Sequence, residues 1–296
     1  MAARGPLEVD VNYPNLPRLT RRRFLAAAGA TTVLGVAAYA RWVEPRWVAV
    51  VRRDLTLPGL PAALSGRSLV HISDLHVGTT DTDHLVACLE TVTTLQPDLV
   101  AITGDFITCT GPEQVDRVPA VLEALPRPPL GCFAVLGNHD YGSRWNRVDV
   151  ADRLALRLAA CGVRVLRNEA VEVNGLAIAG MDELWAGRCR PGQVVAGLAA
   201  GRAAVALCHN PDAVDGPGWA GFRGWVLAGH THGGQCKPPL LPPPITHLQN
   251  RRYAAGAVDL GGGRQMYVNR GLGYVQKVRF NARPEITVFR LVPAAA

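Results

Sequence analysis

The chain contains no C-x-x-C pair, although seven cysteines occur among its 296 residues. This absence argues against a zinc knuckle or a dithiol redox site. Because seven is an odd number, at least one thiol is free or pairs with another chain, and the sequence leaves open whether any disulfide forms. We find no internal repeat and no second domain boundary in the body of the chain. Its length is enough for one large domain with a substantial core.

The net positive charge is small outside the N-terminal segment. The net charge is +7, but residues 1–53 contain nine arginines and three acidic residues, so they carry +6 and the remainder carries +1. Lysine occurs only at positions 237 and 277. A nearly neutral body offers no extended positive surface to a polyanion, so we do not expect nucleic acid as a partner.

The basic N-terminal segment has the features of an export signal. Thr20–Leu25 reads TRRRFL and precedes an apolar run of small residues from Ala26 to Ala40. Paired arginines followed by Phe-Leu and a weakly apolar segment resemble a twin-arginine signal, which implies the twin-arginine translocase as a partner. We therefore predict that residues 1–46 form a signal or membrane segment with a linker, and that residues 47–296 form the domain.

The fate of this segment is left open by the sequence. Ala38-Tyr39-Ala40 has the A-x-A form of a signal-peptidase site. The alternative is an uncleaved anchor, although the run that ends at Ala40 is shorter than the ~20 residues that a spanning helix needs. Either outcome predicts an exported protein at the outer face of the cytoplasmic membrane or elsewhere in the cell envelope, with the membrane surface as a partner.

Short apolar segments alternate with helical patterns over the rest of the chain. Strands are predicted at 47–57, 68–73, 99–103, 131–136, 163–166, 170–173, 177–180, 203–207, 225–228, 265–269 and 285–291. Helices are predicted at 82–95, 115–125, 150–160 and 193–198. The proline-rich segment 237–244 cannot form regular structure. The pattern predicts an α/β fold in which two sheets pack face to face with helices outside.

Five polar motifs follow directly after predicted strands. They are Asp74-x-His76, Gly104-Asp105, Gly137-Asn138-His139-Asp140, Cys208-His209-Asn210 and Gly229-His230-x-His232. Loops at the carboxyl ends of strands gather along one edge of an α/β sheet, where ligands bind. A single motif of this kind is usually a surface loop or a turn. Five of them in order, with glycines that allow sharp turns, predict one shared metal site.

The residue types predict a site for two cations. Asp105 is the candidate for a carboxylate that bridges both. The remaining ligand candidates are Asp74, His76 and His232 for one cation, and Asn138, His209 and His230 for the other. Mixed nitrogen and oxygen donors suit Mn, Fe or Zn, whereas the all-oxygen shell that Mg or Ca prefers is absent. Two metals about 3.5–4 Å apart can ionise a water and neutralise charge during phosphate ester cleavage.

Other polar residues are expected to act beside the metals. His139 follows a ligand candidate and is expected to contact the scissile phosphate and to assist the leaving oxygen. Asn138 is also expected to contact the substrate. Cys236–Tyr253 is the predicted substrate-facing loop, in which Arg251 and Arg252 either bind a distal phosphate or are simply solvated.

Some polar residues are assigned no direct part in the chemistry. Asp140 is expected to support the ligands without binding metal. Three histidines lie outside the motifs, and we expect His71 in the core, His84 on a helix surface and His247 in a loop.

These motifs resemble the calcineurin-like metallophosphoesterase superfamily. The matching stretches read SDLHVG, TGDF, LGNHDYG, CHNPD and AGHTHGGQ, and the likeness runs from about residue 50 to 292. It implies a four-layer α/β/β/α sandwich of two mixed sheets around a dinuclear site. It also implies metal ligands at Asp74, His76, Asp105, Asn138, His209, His230 and His232, and a catalytic histidine at His139.

One departure narrows the resemblance. The Ser/Thr protein phosphatases of the superfamily follow Gly-Asp with two residues and then Asp-Arg-Gly. Here Thr108 stands where the aspartate would orient the catalytic imidazole, and the arginine is absent. Protein phosphatase activity is therefore not expected, and His139 needs a different orienting partner.

The layout is more similar to exported bacterial phosphodiesterases, and we expect a phosphodiester or pyrophosphate hydrolase of the cell envelope. Such proteins are often described as similar to UDP-2,3-diacylglucosamine diphosphatases, so a lipid-linked or nucleotide-sugar substrate in lipid A metabolism is a second hypothesis. Lipid A precursors, however, are made on the cytoplasmic face. The same residues are also compatible with a phosphomonoesterase, or with a metal-binding envelope protein without turnover.

Overall fold

The computed structural model describes residues 20–108, 113–244 and 246–294. It contains two compact units, of which the first ends at Ala38 and the second begins at Tyr39. Helix α1 (Arg21–Ala38) belongs to the first unit. The helical residues Arg21–Arg46 are long and apolar enough to cross a membrane by length and composition, a test that a signal sequence also passes. Residues 1–19 of the predicted signal segment lie outside the described residues.

The second unit is built on two mixed sheets. Its strands are β1 (Ala49–Leu57), β2 (Ser68–Ile72), β3 (Leu99–Thr103), β4 (Cys132–Val135), β5 (Val163–Val165), β6 (Glu169–Val173), β7 (Leu176–Gly180), β8 (Ala204–Leu207), β9 (Gly224–Ala228), β10 (Gly256–Gly261), β11 (Arg264–Val268) and β12 (Glu285–Pro293). The first sheet has the order β1-β12-β2-β3-β4-β5, and the second has the order β10-β11-β9-β8-β7-β6. The predicted pair of mixed sheets is confirmed.

Helices cover the outer faces unevenly. They are α2 (Thr82–Thr94), α3 (Glu113–Leu122), α4 (Val148–Ala160) and the short α5 (Pro191–Val195). The apolar faces of α2, α3 and α4 pack on the first sheet, whereas the second sheet is covered by α5 together with loop residues such as Trp219 and Phe222. The sandwich therefore has four layers, and its layer over the second sheet is mostly irregular.

The central strands are apolar on both faces because both faces are covered. In β3, Leu99 and Ala101 point into the core between the sheets, while Val100 and Ile102 point towards the helices. The middle strands β2, β3 and β4 pair in parallel, as do β7, β8 and β9. Their carboxyl ends therefore lie at common edges, which is where the polar motifs begin.

Three local expectations need correction. The edge strand β10 was not predicted, since its glycine-rich sequence GAVDLG gives little strand signal and its pairing with β11 supplies the order. The helix predicted at 193–198 begins earlier, because Pro191 occupies its first turn. His84 is not on a helix surface but is 8% exposed, and its Nε2 lies 3.1 Å from the carbonyl of Leu272, because that loop covers the start of α2.

The segment Tyr39–Arg46 is part of the second compact unit. The carbonyl of Ala40 accepts a hydrogen bond from the backbone of Arg279 at 2.9 Å. The buried Glu44 accepts one from the backbone of Ala282 at 2.6 Å. Part of the predicted linker is thus packed against the domain.

Phe289 in β12 packs between the two sheets. Its side chain is fully buried, stacks on His71 with ring centroids 6.4 Å apart and meets Tyr267 of the other sheet edge-on at 5.2 Å. We predict that Phe289→Ala lowers the free energy of unfolding by about 3–5 kcal/mol, measured by urea denaturation. Leu156→Ala, at a leucine that is 73% exposed, is the control and should change it by less than about 0.5 kcal/mol. Equal effects would contradict this packing role.

Candidate metal centre

The polar motifs converge where the two sheets meet. Asp74 and Asp105 lie two residues beyond β2 and β3, and Asn138 lies three beyond β4. His209 and His230 lie two residues beyond β8 and β9 of the other sheet. The loops are hydrogen-bonded to one another: the backbone of Asp74 donates to the carbonyl of Gly104, and that of His230 donates to the Asp74 carboxylate at 3.1 Å.

One group of potential ligands consists of Asp74, His76 and His232. Their ligating atoms all lie within 4.8 Å of one another, and the side chains are buried. The Nε2 atoms of His76 and His232 are 3.0 Å apart, and Nε2 of His232 is 3.5 Å from an Asp74 oxygen. Lone pairs that converge so closely can surround a cation.

The second group consists of Asp105, His209 and His230, whose ligating atoms also lie within 4.8 Å of one another. The side-chain oxygen of Asn138 is 3.1 Å from Nε2 of His209 and 3.0 Å from Nδ1 of His230. The predicted set for this cation is thus brought together, with one amide oxygen, one carboxylate and two imidazoles.

Asp105 lies between the two groups. Its Oδ2 is 3.6 Å from Nε2 of His76 in the first group and 3.3 Å from Nε2 of His209 in the second. Its Oδ1 accepts a hydrogen bond of 2.9 Å from the backbone of His139. A single carboxylate oxygen is therefore within reach of both ligand groups, as expected of a bridging ligand.

Burial prepares most of these groups to receive cations. It lowers the pKa of His76 to about 3 and holds the pKa values of His230 and His232 well below the usual range, so these imidazoles are neutral. Burial also raises the pKa of Asp74 to about 6, so this carboxyl group is still mostly ionised at neutral pH. Metal is bound by imidazoles in their neutral form and by carboxyl groups in their ionised form. The donor set therefore fits two divalent cations.

Asp105 and His209 lie 3.3 Å apart and shift each other's pKa. Burial opposes charge on both, but the neighbouring His209 and His139 hold the pKa of Asp105 well below its usual range. Against the same effect of burial, Asp105 raises the pKa of His209 to about 10. Because metal binds the neutral form of an imidazole, a cation held by His209 would compete with protonation of this side chain.

The backbone is strained at the ligand positions. Left-handed φ angles of 50–72° occur at Asp74, His76, Asp105, His230 and His232. Such angles are uncommon for residues other than glycine, and strain of this kind is concentrated at functional sites. Close approach also explains the neighbouring glycines: a Cβ at Gly229 would lie 1.9 Å from Oγ of Ser73.

His139 finds its orienting partner in the main chain. Its Nδ1 lies 3.0 Å from the carbonyl oxygen of Thr108, the residue that stands in place of the phosphatase aspartate. The hydroxyl of Thr108 is instead 3.2 Å from Nδ1 of His76. No sequence signal could have revealed the first contact, because a backbone carbonyl is present whatever the side chain.

Asp140 lies outside both ligand groups. Its two oxygens accept hydrogen bonds from the backbones of Ile107 and Gly137 at 3.1 and 2.8 Å. Burial and the nearby Asp105 raise the pKa of Asp140 to about 8. This side chain therefore ties together the loops that follow β3 and β4.

A cavity of about 580 Å³ opens onto the ligand groups and His139. One wall is formed by Trp145 and Trp185, whose rings lie 4.6 Å apart, and Trp185 meets His230 edge-on at 4.5 Å. Residues 236, 244 and 247 of the predicted substrate-facing loop also line it. Sequence reasoning missed both tryptophans, because isolated aromatic residues in loops carry no motif.

Arg251 and Arg252 do not line this cavity. Both are exposed, and Nη2 of Arg251 donates to the carbonyl of Pro244 at 3.1 Å. The structure therefore gives no support for a phosphate-binding role of this pair. Arg251 instead holds the loop that ends at Pro244.

Two buried charged residues near the site were also missed. Arg279 is fully buried, with Nη2 3.3 Å from Nδ1 of His232, and it donates to the carbonyls of Gly273 and Ala282. Glu183 is 1% exposed, and burial raises its pKa to about 7. Neither residue lies in a recognisable motif.

The histidines outside the motifs differ in environment. His71 is buried as predicted, with Nε2 2.8 Å from the hydroxyl of Thr103, and burial lowers its pKa to about 3. His247 is exposed in a loop, also as predicted, although it reaches the cavity.

Comparison with known proteins agrees with this geometry. Residues 67–234 match the family model described as calcineurin-like phosphoesterase. The chain is 32% identical to the uncharacterised metallophosphoesterase YkuE of Bacillus subtilis, over 93% of this chain and 99% of the relative. It is 31% identical to the phosphodiesterase YaeI of Escherichia coli, over 93% of this chain and the whole of the relative.

A third relative is named for a different activity. The chain is 27% identical to the UDP-2,3-diacylglucosamine pyrophosphatase LpxG of Chlamydia muridarum, over 90% of this chain and 98% of the relative. The family match, the likeness over nearly the full length and the two converging ligand groups agree with one another. The chain belongs to the calcineurin-like metallophosphoesterase family and is a metal-dependent phosphoric ester hydrolase.

Proposed function

We propose that this protein is a dinuclear hydrolase of phosphodiesters or pyrophosphates that acts at the outer face of the cytoplasmic membrane. The observation that carries this proposal is the position of Asp105 between two groups of ligands, with His139 beside them in an open cavity. Relatives described as a phosphodiesterase and as a pyrophosphatase support the class of substrate.

The ligand roles follow from the two groups. Asp74, His76 and His232 would hold one cation, and Asn138, His209 and His230 the other, with Asp105 shared between them. Mixed nitrogen and oxygen donors favour Mn, Fe or Zn. When bound, the two cations supply a nucleophile from water and neutralise negative charge at phosphorus.

His139 is proposed to protonate or stabilise the leaving oxygen. If Nδ1–H donates to the carbonyl of Thr108, Nε2 is the nitrogen left to face the substrate. In its protonated form, Nε2 can donate to the leaving oxygen and stabilise the charge that develops there. The bond from the His139 backbone to Asp105 fixes this imidazole relative to the ligands. Asn138 is adjacent and can orient the phosphate.

Export through the twin-arginine translocase is proposed from the TRRRFL segment and the apolar helix that follows it. That route carries folded proteins, so the metal site would be assembled before translocation. An exterior location favours a phosphodiester of the cell envelope over a cytoplasmic lipid A precursor. The pyrophosphatase activity named for LpxG supports the alternative, a nucleotide-sugar substrate.

The class of substrate can be tested with the purified chain and added Mn²⁺. We expect hydrolysis of bis-p-nitrophenyl phosphate to exceed that of p-nitrophenyl phosphate, and to be lost on exhaustive chelation and restored by Mn²⁺. Preference for the monoester would indicate a phosphomonoesterase. Hydrolysis of neither ester, nor of a nucleoside-diphosphate sugar, would indicate a binding protein without turnover.

The role of His139 separates catalysis from metal binding. His139→Ala should keep both cations, because His139 is not in either ligand group, yet lower kcat by about 10²-fold. Metal content by elemental analysis and kcat on the diester are the measurements. His247→Ala, which removes another imidazole from the same cavity, should leave kcat close to the native value. Loss of metal from His139→Ala would contradict the assigned role.

The hydroxyl of Thr108 is predicted to act on metal affinity alone. Thr108→Val removes the acceptor for Nδ1 of His76 but keeps the carbonyl that orients His139. We expect metal to bind about 10–100-fold more weakly, as for other groups that orient ligands. At saturating metal, kcat should recover. Calorimetric titration with Mn²⁺ checks this, with Thr94→Val at an exposed threonine as the control. Unchanged affinity would show that His76 does not depend on Thr108.

A further inference from the structure

We infer that the loop Lys237–Pro244, here called the interfacial loop, inserts its tip into the lipid surface, so that the cavity opens against the membrane. This inference rests on the proposed function, because the loop borders the same cavity. The contact between the loop and the membrane can nevertheless be measured without turnover. The two leucines at the tip are the first observation. Leu240 is fully exposed and Leu241 is 59% exposed.

The backbone conformation of Leu240 is unusual, in addition to its exposure. Its φ of 64° is left-handed, a conformation that is uncommon for residues other than glycine. A leucine left in water also forgoes the favourable free energy that burial of its apolar surface would gain. A loop that holds two adjacent leucines outward, with prolines on both sides, is therefore poorly matched to water and well matched to an apolar surface.

The start of the interfacial loop lies close to Tyr39, the residue that follows the apolar helix α1. The backbone of Lys237 donates to the carbonyl of Phe280 at 2.8 Å. The ring of Tyr39, the first residue of the second compact unit, packs edge-on against Phe280 with centroids 6.4 Å apart. Leu240 is three positions after Lys237, so the tip can lie no more than about 10 Å from that hydrogen bond.

Further exposed apolar residues occur in the segments that meet at Phe280. Trp42 is 63% exposed and Val43 50% exposed in the segment that contains Tyr39. Trp47 is 52% exposed immediately after it, and Val275 is 42% exposed in the segment leading to Phe280. Tryptophan is enriched at the boundary between lipid and water, where its apolar ring and polar N–H are both satisfied.

Cations flank the apolar tip. Lys237 begins the interfacial loop, and the guanidinium of Arg251 holds its end through the carbonyl of Pro244. Arg252 is adjacent and also exposed. An apolar tip between basic residues fits a surface of anionic lipid head groups. This arrangement gives Arg251 and Arg252 a partner outside the cavity.

The interfacial loop is also a wall of the cavity. Pro244, together with Cys236 just before the loop and Val275, lines the same space as His139. Insertion of the tip would therefore place the mouth of the cavity at the level of the head groups. The substrate class that fits this position is a phosphoester carried on a membrane lipid.

The test places a fluorophore on the tip. The full-length chain is reconstituted in vesicles of phosphatidylcholine and phosphatidylglycerol, and Leu240→Cys is labelled with a nitrobenzoxadiazole thiol reagent. Leu156→Cys on α4, where the leucine is 73% exposed, is the matched control. The native chain labelled in parallel gives the background from its own cysteines. We expect blue-shifted emission and several-fold stronger quenching by nitroxide lipids for Leu240→Cys.

Two results would overturn the membrane contact. One is quenching by nitroxide lipids no greater at position 240 than at position 156. The other is a blue-shifted label without lipid quenching, which would mean that a second copy of the chain covers the loop. Hydrolysis of bis-p-nitrophenyl phosphate by the native chain in the same vesicles reports on the proposed function separately. Failure of the membrane contact can thus be distinguished from failure of the proposed function.

Discussion

The arrangement of the site depends on the carboxylate of Asp105. It is nearly inaccessible to solvent, and isolated charge at such depth is strongly unfavourable. His209 and the backbone N–H of His139 contact it and keep it ionised, and Nε2 of His76 in the first group lies 3.6 Å from it. Because one oxygen faces both groups, any movement of the loop after β3 would disturb both groups of candidate ligands and His139 together. Two sheets packed over a shared core restrain that movement.

The backbone is strained at the candidate ligands, so the short loops that carry them must be held in place by the surrounding structure. Asp74, His76 and Asp105 follow adjacent strands of the first sheet, and each adopts a left-handed backbone. Each such residue costs of order 1–3 kcal/mol, which the surrounding packing must offset. Asp140 contributes by joining two of the loops, and the glycines contribute by allowing contacts that a Cβ would prevent. The strained loops direct side chains from two sheets to one point.

The sheets and the convergence of the polar motifs could be predicted from the sequence because both leave local signals. Buried strands such as Leu99–Thr103 are continuous apolar runs, and the motifs combine ligand residues with glycine at strand ends. The strand Gly256–Gly261 could not be predicted, because its order comes from pairing with a neighbour. His84 was misplaced for a related reason: helical periodicity shows which face is polar but not which loop will cover it. The contact that orients His139 was out of reach, since it is made by a main-chain carbonyl.

The fold also links the metal site to the residues that follow the apolar helix. The guanidinium of Arg279 contacts His232, and the backbone of the same residue donates to the carbonyl of Ala40. Glu44 holds the adjoining turn through the backbone of Ala282, whose carbonyl in turn accepts from the Arg279 side chain. A fragment that began at residue 47, the boundary expected from the sequence, would lack the hydrogen bonds that the backbones of Arg279 and Ala282 make with this segment, each worth about 0.5–1.5 kcal/mol. The segment Tyr39–Arg46 therefore supports the candidate ligand His232 through Arg279, in addition to connecting the domain to the helix.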